Sequence, residues 1–272
     1  MLRLLERAKN DWPGLLKQLE AMRSKVLANA ASSAVINLTG DAGALDAANA
    51  ALPALAARVL AGDASSSDHP PDWSGLKKVV APGAFVVPTQ VNYVAAGGSL
   101  YAPGEFPTGA DSVVKRFLSL DYLWNRVRVQ GGAYGGSCQF NPVSGTFVFS
   151  SYRDPNLEDT LTAYSEAAAW MKALDVEPAE LTKAVVAAIG DLDGPSTPDQ
   201  KGSKSLRHFL DGTTDEARQK HRDEVLAATP ADFRRFADRL AALKTTPAVF
   251  ASAAAVEAAN AKGANLAVTK LL

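Results

Sequence analysis

An arginine and a tyrosine stand inside a run of glycines. The segment RVRVQGGAYGGSCQF covers residues 126–140 and contains Arg128, Gly131, Gly132 and Tyr134. Residues this small let an extended backbone approach closely, while Arg128 and Tyr134 point into a cavity. Alternatively, the glycines only supply positive φ angles in a tight helix-to-strand connection, and both side chains are solvated or packed. The residue types alone leave these two interpretations open.

The same glycines do not match a phosphate-binding loop. A dinucleotide fingerprint places its glycines after a strand and at the start of a helix, whereas here they follow a predicted helix and open a predicted strand. The sequence also contains no Gly-Lys-Ser or Gly-Lys-Thr. Nucleotide binding at this segment is therefore excluded.

A second candidate site lies where the predicted hairpin ends, in the segment YRDPN at residues 152–156. Asp154 or Asn156 is suited to cap the following helix, and Arg153 is a candidate substrate contact. The single cysteine, Cys138, has no predicted histidine partner. We therefore interpret it as a small packed residue and not as a nucleophile.

The three histidines carry no recognisable metal motif. His69, His208 and His221 are far apart, and none stands in His-x-x-Glu-His or its reverse. We therefore expect no metal ligand set in this chain. A single cysteine cannot form an internal disulfide, which fits a reducing compartment.

Composition narrows the class of protein. The chain has 272 residues, is 47% hydrophobic and carries a formal net charge of -1. No basic stripe alternates with aromatics, so we expect no nucleic-acid partner. No apolar run is long enough for a membrane span, and the start MLRLLERAKND is not a signal peptide. That start has the pattern of the middle of a helix, so the chain is expected to be a piece of a longer protein.

Apolar periodicity predicts the elements that must hold these residues. The first part, residues 1–80, reads as helix, strand and helix followed by a linker, with the strand at residues 33–41 and the linker at residues 61–75. The second part, residues 81–272, begins with a strand that is interrupted at Pro88, and this interruption predicts a sheet edge or a bulge.

A dense helix at residues 112–129 and a hairpin after Ser137 then flank the glycines. Helices follow, among them one predicted at residues 203–210 and one whose start is indicated by Thr229 and Pro230. The chain closes as strand, helix and strand. Strands and helices mix without strict alternation, and the clear hairpin is antiparallel. This order predicts an α+β fold with helices covering one face of a mostly antiparallel sheet.

Three quoted stretches carry a family resemblance. LWNRVRVQGGAYGG, SGTFVFSSYRDPNLEDTL and PDQKGSKSLRHFLDGTTDEARQKHRDEVL resemble the C-terminal half of presequence peptidases, the organellar branch of the pitrilysin and insulin-degrading family of zinc metalloendopeptidases. The resemblance extends from the first helix to the last strand. Its most specific part is the Arg-x5-Tyr spacing of Arg128 and Tyr134.

This resemblance implies a half-clam fold. In the family, two similar α+β halves close around a peptide, and the N-terminal half holds zinc through His-x-x-Glu-His and a distal Glu. Arg128 and Tyr134 then correspond to the pair that reaches towards the scissile carbonyl and the substrate backbone. A guanidinium and a phenol O–H can stabilise the oxyanion that forms when water attacks a peptide carbonyl.

The function implied by the resemblance is that of a substrate-enclosing, metal-free half of a peptidase that degrades presequence and other unfolded peptides. Its implied partners are an unfolded peptide and a zinc-bearing N-terminal half, in the mitochondrial matrix or the plastid stroma. Because the chain lacks His-x-x-Glu-His, we expect it to be hydrolytically inactive alone. The alternative is a non-catalytic structural or interaction subunit with the same fold.

Overall fold

Alternating residues build one six-stranded sheet. The computed structural model describes residues 2–27, 34–59, 75, 81–102, 104–141 and 144–271. In every strand except the last, which is exposed throughout, inward-facing residues are buried and their neighbours are mostly at least partly exposed. This period of two is expected of a sheet with one packed face. The strands are β1 (Gly83–Val86), β2 (Asn92–Ser99), β3 (Gly135–Asn141), β4 (Thr146–Asp154), β5 (Thr246–Ala251) and β6 (Ala267–Lys270).

Ten α-helices and one π-helix accompany these strands in the described part of the chain. They are α1 (Leu2–Asn10), α2 (Trp12–Leu27), α3 (Ala42–Val59), α4 (Gly109–Leu118), the π-helix (Ser119–Gln130), α5 (Leu157–Ala173), α6 (Pro178–Asp193), α7 (Pro198–Asp211), α8 (Asp215–Leu226), α9 (Pro230–Ala242) and α10 (Ala253–Ala261). None of the helices within these described ranges is long and apolar enough to cross a membrane.

The chain divides into two compact units. The first consists of Met1–Lys77 with Pro195–Thr213, and the second of Lys78–Gly194 with Thr214–Leu272. The predicted division at residue 80 stays a prediction. The predicted linker at residues 61–75 lies outside the described residues, apart from Gly75.

Helices form the described part of the first unit, and the predicted strand at residues 33–41 is wrong over its described residues. Residues 34–41 form no ladder and are exposed. A strand needs a partner for its backbone groups, and this segment instead lies against α7. The side chain of Asn37 donates to the carbonyl of Gly202 at 3.1 Å, and a Cβ at Gly202 would collide with Thr39.

The sheet belongs to the second unit and has the strand order β3-β4-β2-β5-β1-β6. The pairs β3–β4, β4–β2 and β2–β5 are antiparallel, whereas β5–β1 and β1–β6 are parallel. The mixed α+β class with a mostly antiparallel sheet is confirmed. Of the two predicted alternatives the sheet edge is wrong, because β1 and β2 both have neighbours on either side, whereas β2 does shift register against β4 between Asn92 and Val94. Pro88 lies in the connection between β1 and β2, where no ladder hydrogen bond is needed.

Helices pack on one face of the sheet, which we call the covered face. Phe149 of β4 stacks on Tyr164 of α5, with ring centroids 4.9 Å apart, and Phe147 meets Phe236 of α9 at 5.9 Å. These rings are fully buried together with Val94 of β2. The opposite face, which we call the open face, carries exposed side chains from the same strands.

The predicted helix at residues 112–129 is confirmed in extent, but its second half is not α-helical. A capping box at Thr108 and Asp111 starts α4, and the chain then continues as a π-helix. Twelve residues of π-helix are long for a conformation that usually appears as a single turn, frequently at functional sites. Trp124, in this second half, is exposed.

Candidate functional site

The glycine turn carries the chain from the π-helix into β3. The amide of Gly131 donates to the Arg126 carbonyl at 3.1 Å and that of Ala133 to the Val127 carbonyl at 3.1 Å. A Cβ on Gly131 would lie 2.6 Å from the Val127 oxygen, and Gly132 has a φ of +75°. Both positions therefore require glycine, and the geometry of a tight helix-to-strand connection is real.

The next two glycines have different surroundings. A Cβ on Gly136 would lie 3.0 Å from the Val127 side chain, so this glycine lets β3 pack against the π-helix. A Cβ on Gly135 would meet no atom within 4 Å. Packing therefore does not explain Gly135, which leaves the backbone beside it open to another chain.

Arg128 projects from the last turn of the π-helix. Its guanidinium carbon lies 4.0 Å from the Trp124 ring centroid and 5.9 Å from that of Tyr134. Arginine stacked on an aromatic face is held in orientation while its N–H groups stay available at the edge. Within the described ranges, no side-chain or backbone acceptor bonds this guanidinium.

Tyr134 stands beside Arg128 and is 67% exposed. Its amide donates to the Tyr152 carbonyl at 3.1 Å, and its ring makes an edge contact with the Tyr152 ring at a centroid distance of 6.0 Å. The backbone of Tyr134 is thus fixed at the start of β3 while its hydroxyl points away from the core. The structure brings the two predicted residues together, and both present hydrogen-bond donors to solvent.

Arg153 lies at the end of β4, next to this pair. It has a φ of +50°, which is uncommon for a residue with a side chain, and the register of β2 with β4 shifts at this point. Its carbonyl accepts a second, longer bond of 3.4 Å from the Tyr134 amide. The backbone of Arg153 therefore helps to fix Tyr134, and its own side chain is exposed.

A buried carboxylate organises the turn behind Arg153. Asp154 accepts hydrogen bonds from the Asn156 amide at 2.9 Å and from the Thr160 hydroxyl at 2.7 Å. The side chain of Asn156 donates to the carbonyl of Gly131. Asn156 occupies the N-cap position of α5, as one of the two predicted alternatives has it, but its side chain does not cap the helix amides. Asp154 instead fixes the turn before the helix, and Asn156 ties the start of α5 to the glycine turn.

Cys138 is buried in β3, as predicted, and is not available for chemistry. Its sulfur lies 3.3 Å from the Ser119 hydroxyl. Burial raises the pKa of the Cys138 thiol to about 12. The thiolate, which is the nucleophilic form, is therefore scarce at neutral pH.

Sequence reasoning did not single out three aromatic residues of this site: Trp124, Tyr152 and Tyr93. Tyr152 is 52% exposed and forms edge contacts with Tyr134 and, at 5.3 Å, with Tyr93. The available signals were the i,i+4 spacing of Trp124 and Arg128 and the period-two position of Tyr152. Both signals are also expected of ordinary core residues.

The described residues contain no group of three His, Cys, Asp or Glu side chains that could hold a metal ion. The chemistry that this site offers is hydrogen-bond donation and positive charge. Arg128 and Tyr134 can bind a carbonyl, an oxyanion or a carboxylate. The aromatic rings beside them can contact apolar side chains.

A family model described as the PreP C-terminal domain matches residues 82–253, a range that contains the whole site. The chain belongs to this family. Presequence protease 1, chloroplastic/mitochondrial, of Arabidopsis thaliana is 37% identical over 272 residues, which is 96% of this chain and 24% of that protein. Protein HypA of Clostridium perfringens is 37% identical over 147 residues, covering 54% of this chain and 15% of that protein. The chain therefore spans a quarter or less of the length of these relatives.

Solved structures share the fold at low sequence identity. A conserved protein of Enterococcus faecalis has a TM-score of 0.53 at 14% identity, over 78% of this chain and 50% of that one. A peptidase M16 inactive domain of Pseudomonas fluorescens has a TM-score of 0.52 at 15% identity, over 75% and 51%. These similarities establish the half-clam type of fold and nothing further.

Proposed function

We propose that this chain is the substrate-enclosing, metal-free half of a zinc metalloendopeptidase that degrades presequence and other unfolded peptides. One observation carries the proposal. Arg128 and Tyr134 stand side by side on a rigid frame of π-helix, turn and strand, with hydrogen-bond donors that the described part of the chain leaves unused. Such preorganised donors are what an enzyme needs where negative charge develops.

In this role, Arg128 and Tyr134 bind the carbonyl oxygen of the bond to be cleaved. The attack of water turns that carbonyl into a tetrahedral oxyanion, and the guanidinium and phenol hydrogen bonds strengthen as its charge grows. Stacking on Trp124 holds the guanidinium edge in place. The zinc that activates the water would be held by the other half, because the described residues of this chain offer no ligand set.

Gly131, Gly132 and Arg153 complete the proposed substrate site. The two glycines form the turn that sets Arg128 beside Tyr134, and the exposed Gly132 can lie next to a bound peptide. Arg153 adds an exposed positive charge on the other side of Tyr134. The partner is a zinc-bearing N-terminal half, in the same polypeptide or as a separate subunit. The names of the plant and animal relatives support an organellar location, for which we propose the mitochondrial matrix or the plastid stroma.

The test is to assemble the chain with a zinc-bearing half and measure cleavage of a fluorogenic unfolded peptide. We expect Arg128→Ala and Tyr134→Phe each to lower kcat about a hundredfold, the usual loss for an oxyanion donor. The matched control is Arg126→Ala. Arg126 belongs to the same π-helix and pairs with Glu166 at 2.8 Å, so its loss should leave turnover unchanged.

Unfolding in urea should show that these variants fold as the parent does, since exposed substitutions usually change stability by only about 0.5 kcal/mol. Parental cleavage by both Arg128→Ala and Tyr134→Phe would refute the proposed role. In that case the two side chains only stabilise the connection between the π-helix and β3, and a non-catalytic subunit is the better interpretation.

A further inference from the structure

Five aromatic side chains form a row of two contacting groups across the open face of the sheet. We call Tyr134, Tyr152, Tyr93, Phe250 and Phe85 the aromatic row. The Tyr134–Tyr152 and Tyr152–Tyr93 centroids are 6.0 Å and 5.3 Å apart, and Phe250 stacks on Phe85 at 5.0 Å. Tyr93 and Phe250 are register partners on adjacent antiparallel strands, so they share a face. The row therefore runs from the candidate site across β4, β2, β5 and β1.

The row is exposed although its residues are apolar. Tyr93 and Phe250 are 37% and 44% exposed, whereas the neighbouring Val94 and Val249 are fully buried on the covered face. Aromatic residues are suited to strands, but threonine would serve an exposed strand as well without presenting a ring to water. Contiguous exposed apolar patches mark interaction sites, and aromatic residues are enriched at the centres of interfaces.

Small residues lie directly beside the row. They are register partners in turn from one strand to the next: Ser137, Ser150, Ala95, Ala248 and Gly83. The five rings therefore form one wall of a shallow trough. A backbone can lie in such a trough while its side chains contact the rings.

Charge distinguishes between the possible occupants. Arg128 and Arg153 lie at the Tyr134 end of the row, and no carboxylate within the described ranges pairs with either. A peptide in an extended conformation brings carbonyl oxygens and a terminal carboxylate, which both arginines can bind. A second copy of this chain, paired through the same surface, would bring two more arginines to that end.

We propose that the aromatic row is a docking surface for an extended, unstructured peptide, whose apolar side chains rest on the rings and whose acceptor groups face Arg128. This inference rests on the proposed function and extends it, because it assigns Tyr93, Tyr152 and Phe250 as residues that select apolar substrate side chains. The row then leads the peptide to Arg128 and Tyr134.

Binding to the chain alone tests the proposal without any need for catalysis. The probe is a dye-labelled unstructured peptide with Leu and Phe at alternate positions, compared by fluorescence anisotropy with a peptide of equal length and charge that has Ser there. We expect the apolar peptide to bind at least tenfold more tightly. Tyr93→Thr and Phe250→Thr, which keep the preference for strand, should each weaken its binding about tenfold.

Phe209→Ala is the control, because Phe209 is also an exposed aromatic residue, at 70%, but belongs to α7 and not to the row. Its affinity for the peptide should equal that of the parent. In the assembled enzyme, Tyr93→Thr should raise KM and leave kcat unchanged, whereas Arg128→Ala should lower kcat. Failure of the Arg128 prediction with intact row effects overturns the proposed function and leaves the docking surface standing.

Three results would overturn the docking surface itself. The first is that the row variants bind the apolar peptide as tightly as the parent does, while their urea midpoints show that they are folded. The second is that the chain forms dimers in sedimentation and that Tyr93→Thr dissociates them, which would make a second copy the occupant. The third is that Phe250→Thr weakens binding of the zinc-bearing half, which would make the row an interface between the halves.

Discussion

The two faces of the sheet use the same kinds of residue for opposite purposes. On β4, Phe149 is 1% exposed on the covered face, whereas Tyr152, three residues later, is 52% exposed on the open face. Both are aromatic and both contact other rings. The difference lies in what is packed on them, since α5 covers Phe149 and no described helix covers Tyr152. Burial on one face stabilises the fold, and exposure on the other leaves surface for a ligand.

The largest expected effect on stability comes from truncating one aromatic side chain on each face of the sheet. Phe149→Ala should lower the free energy of unfolding by about 3–5 kcal/mol, because it removes a buried ring and leaves a cavity against Tyr164. Tyr152→Ala should lower it by less than about 1 kcal/mol, because its ring is already half in water. Urea unfolding of both variants measures the contrast. Equal losses would show that the open face is also part of the core.

A second test concerns the glycine turn that joins the π-helix to β3. Gly131→Ala should cost about 2 kcal/mol, because the new Cβ would lie 2.6 Å from the Val127 carbonyl oxygen and the last turn of the π-helix must shift. Gly190→Ala is the control within α6, where a Cβ meets nothing within 4 Å. It should stabilise the protein by about 0.5–1 kcal/mol. Thermal unfolding that moves both variants in the same direction would contradict the steric explanation.

Burial of Cys138 should make the free energy of unfolding depend on pH. The pKa of the Cys138 thiol rises from 9.0 to about 12 on folding because burial disfavours the thiolate. The stabilisation is therefore complete below pH 9 and is lost as the pH rises from 9 towards 12. At pH 10 the loss is on the order of 1 kcal/mol.

Cys138→Ala isolates this contribution. The buried tyrosines Tyr101 and Tyr164, whose pKa values are also raised, remain in both proteins and cancel in the comparison. Between pH 8 and pH 10, the free energy of unfolding of the parent should fall more than that of the variant, by on the order of 1 kcal/mol, in urea titrations. Parallel pH profiles would mean that the thiol is not buried as described.

Periodicity in the sequence predicted the elements better than it predicted their surroundings. The Thr-Pro pair at Thr229 and Pro230 predicts a helix start and opens α9. The same pair at Thr197 and Pro198 lies among glycines and prolines and opens α7 five residues before the start predicted at residue 203. Local capping chemistry outweighed composition there, because a capping box satisfies amides that a helix start would otherwise leave unpaired.

The sequence predicted Arg128 and Tyr134 as residues of the candidate site but not the aromatic residues beside them. Arg128 and Tyr134 could be found because glycines surround them, but Tyr93 is 41 residues before Tyr134 in the chain and joins it only through the sheet order. The sequence also could not predict that the second half of this helix is a π-helix, because its residues also fit α-helical spacing. Face and register depend on which strands pair, and a single sequence does not state that pairing.

The smallest expected effect concerns the strained residue of the open face. Arg153 has a φ of +50°, a conformation that costs a residue with a Cβ about 1 kcal/mol and that glycine adopts freely. Arg153→Gly should therefore raise the free energy of unfolding by about 0.5 kcal/mol, after allowing for the greater freedom of glycine in the unfolded chain. Arg153→Ala keeps the Cβ and should give no gain, which makes it the control in the same urea series. If Arg153 contacts the peptide, both variants should lose affinity equally, since both remove the guanidinium. A gain in stability with a loss of binding would show that the open face retains strain for the sake of its ligand, which no residue of the covered face needs to do.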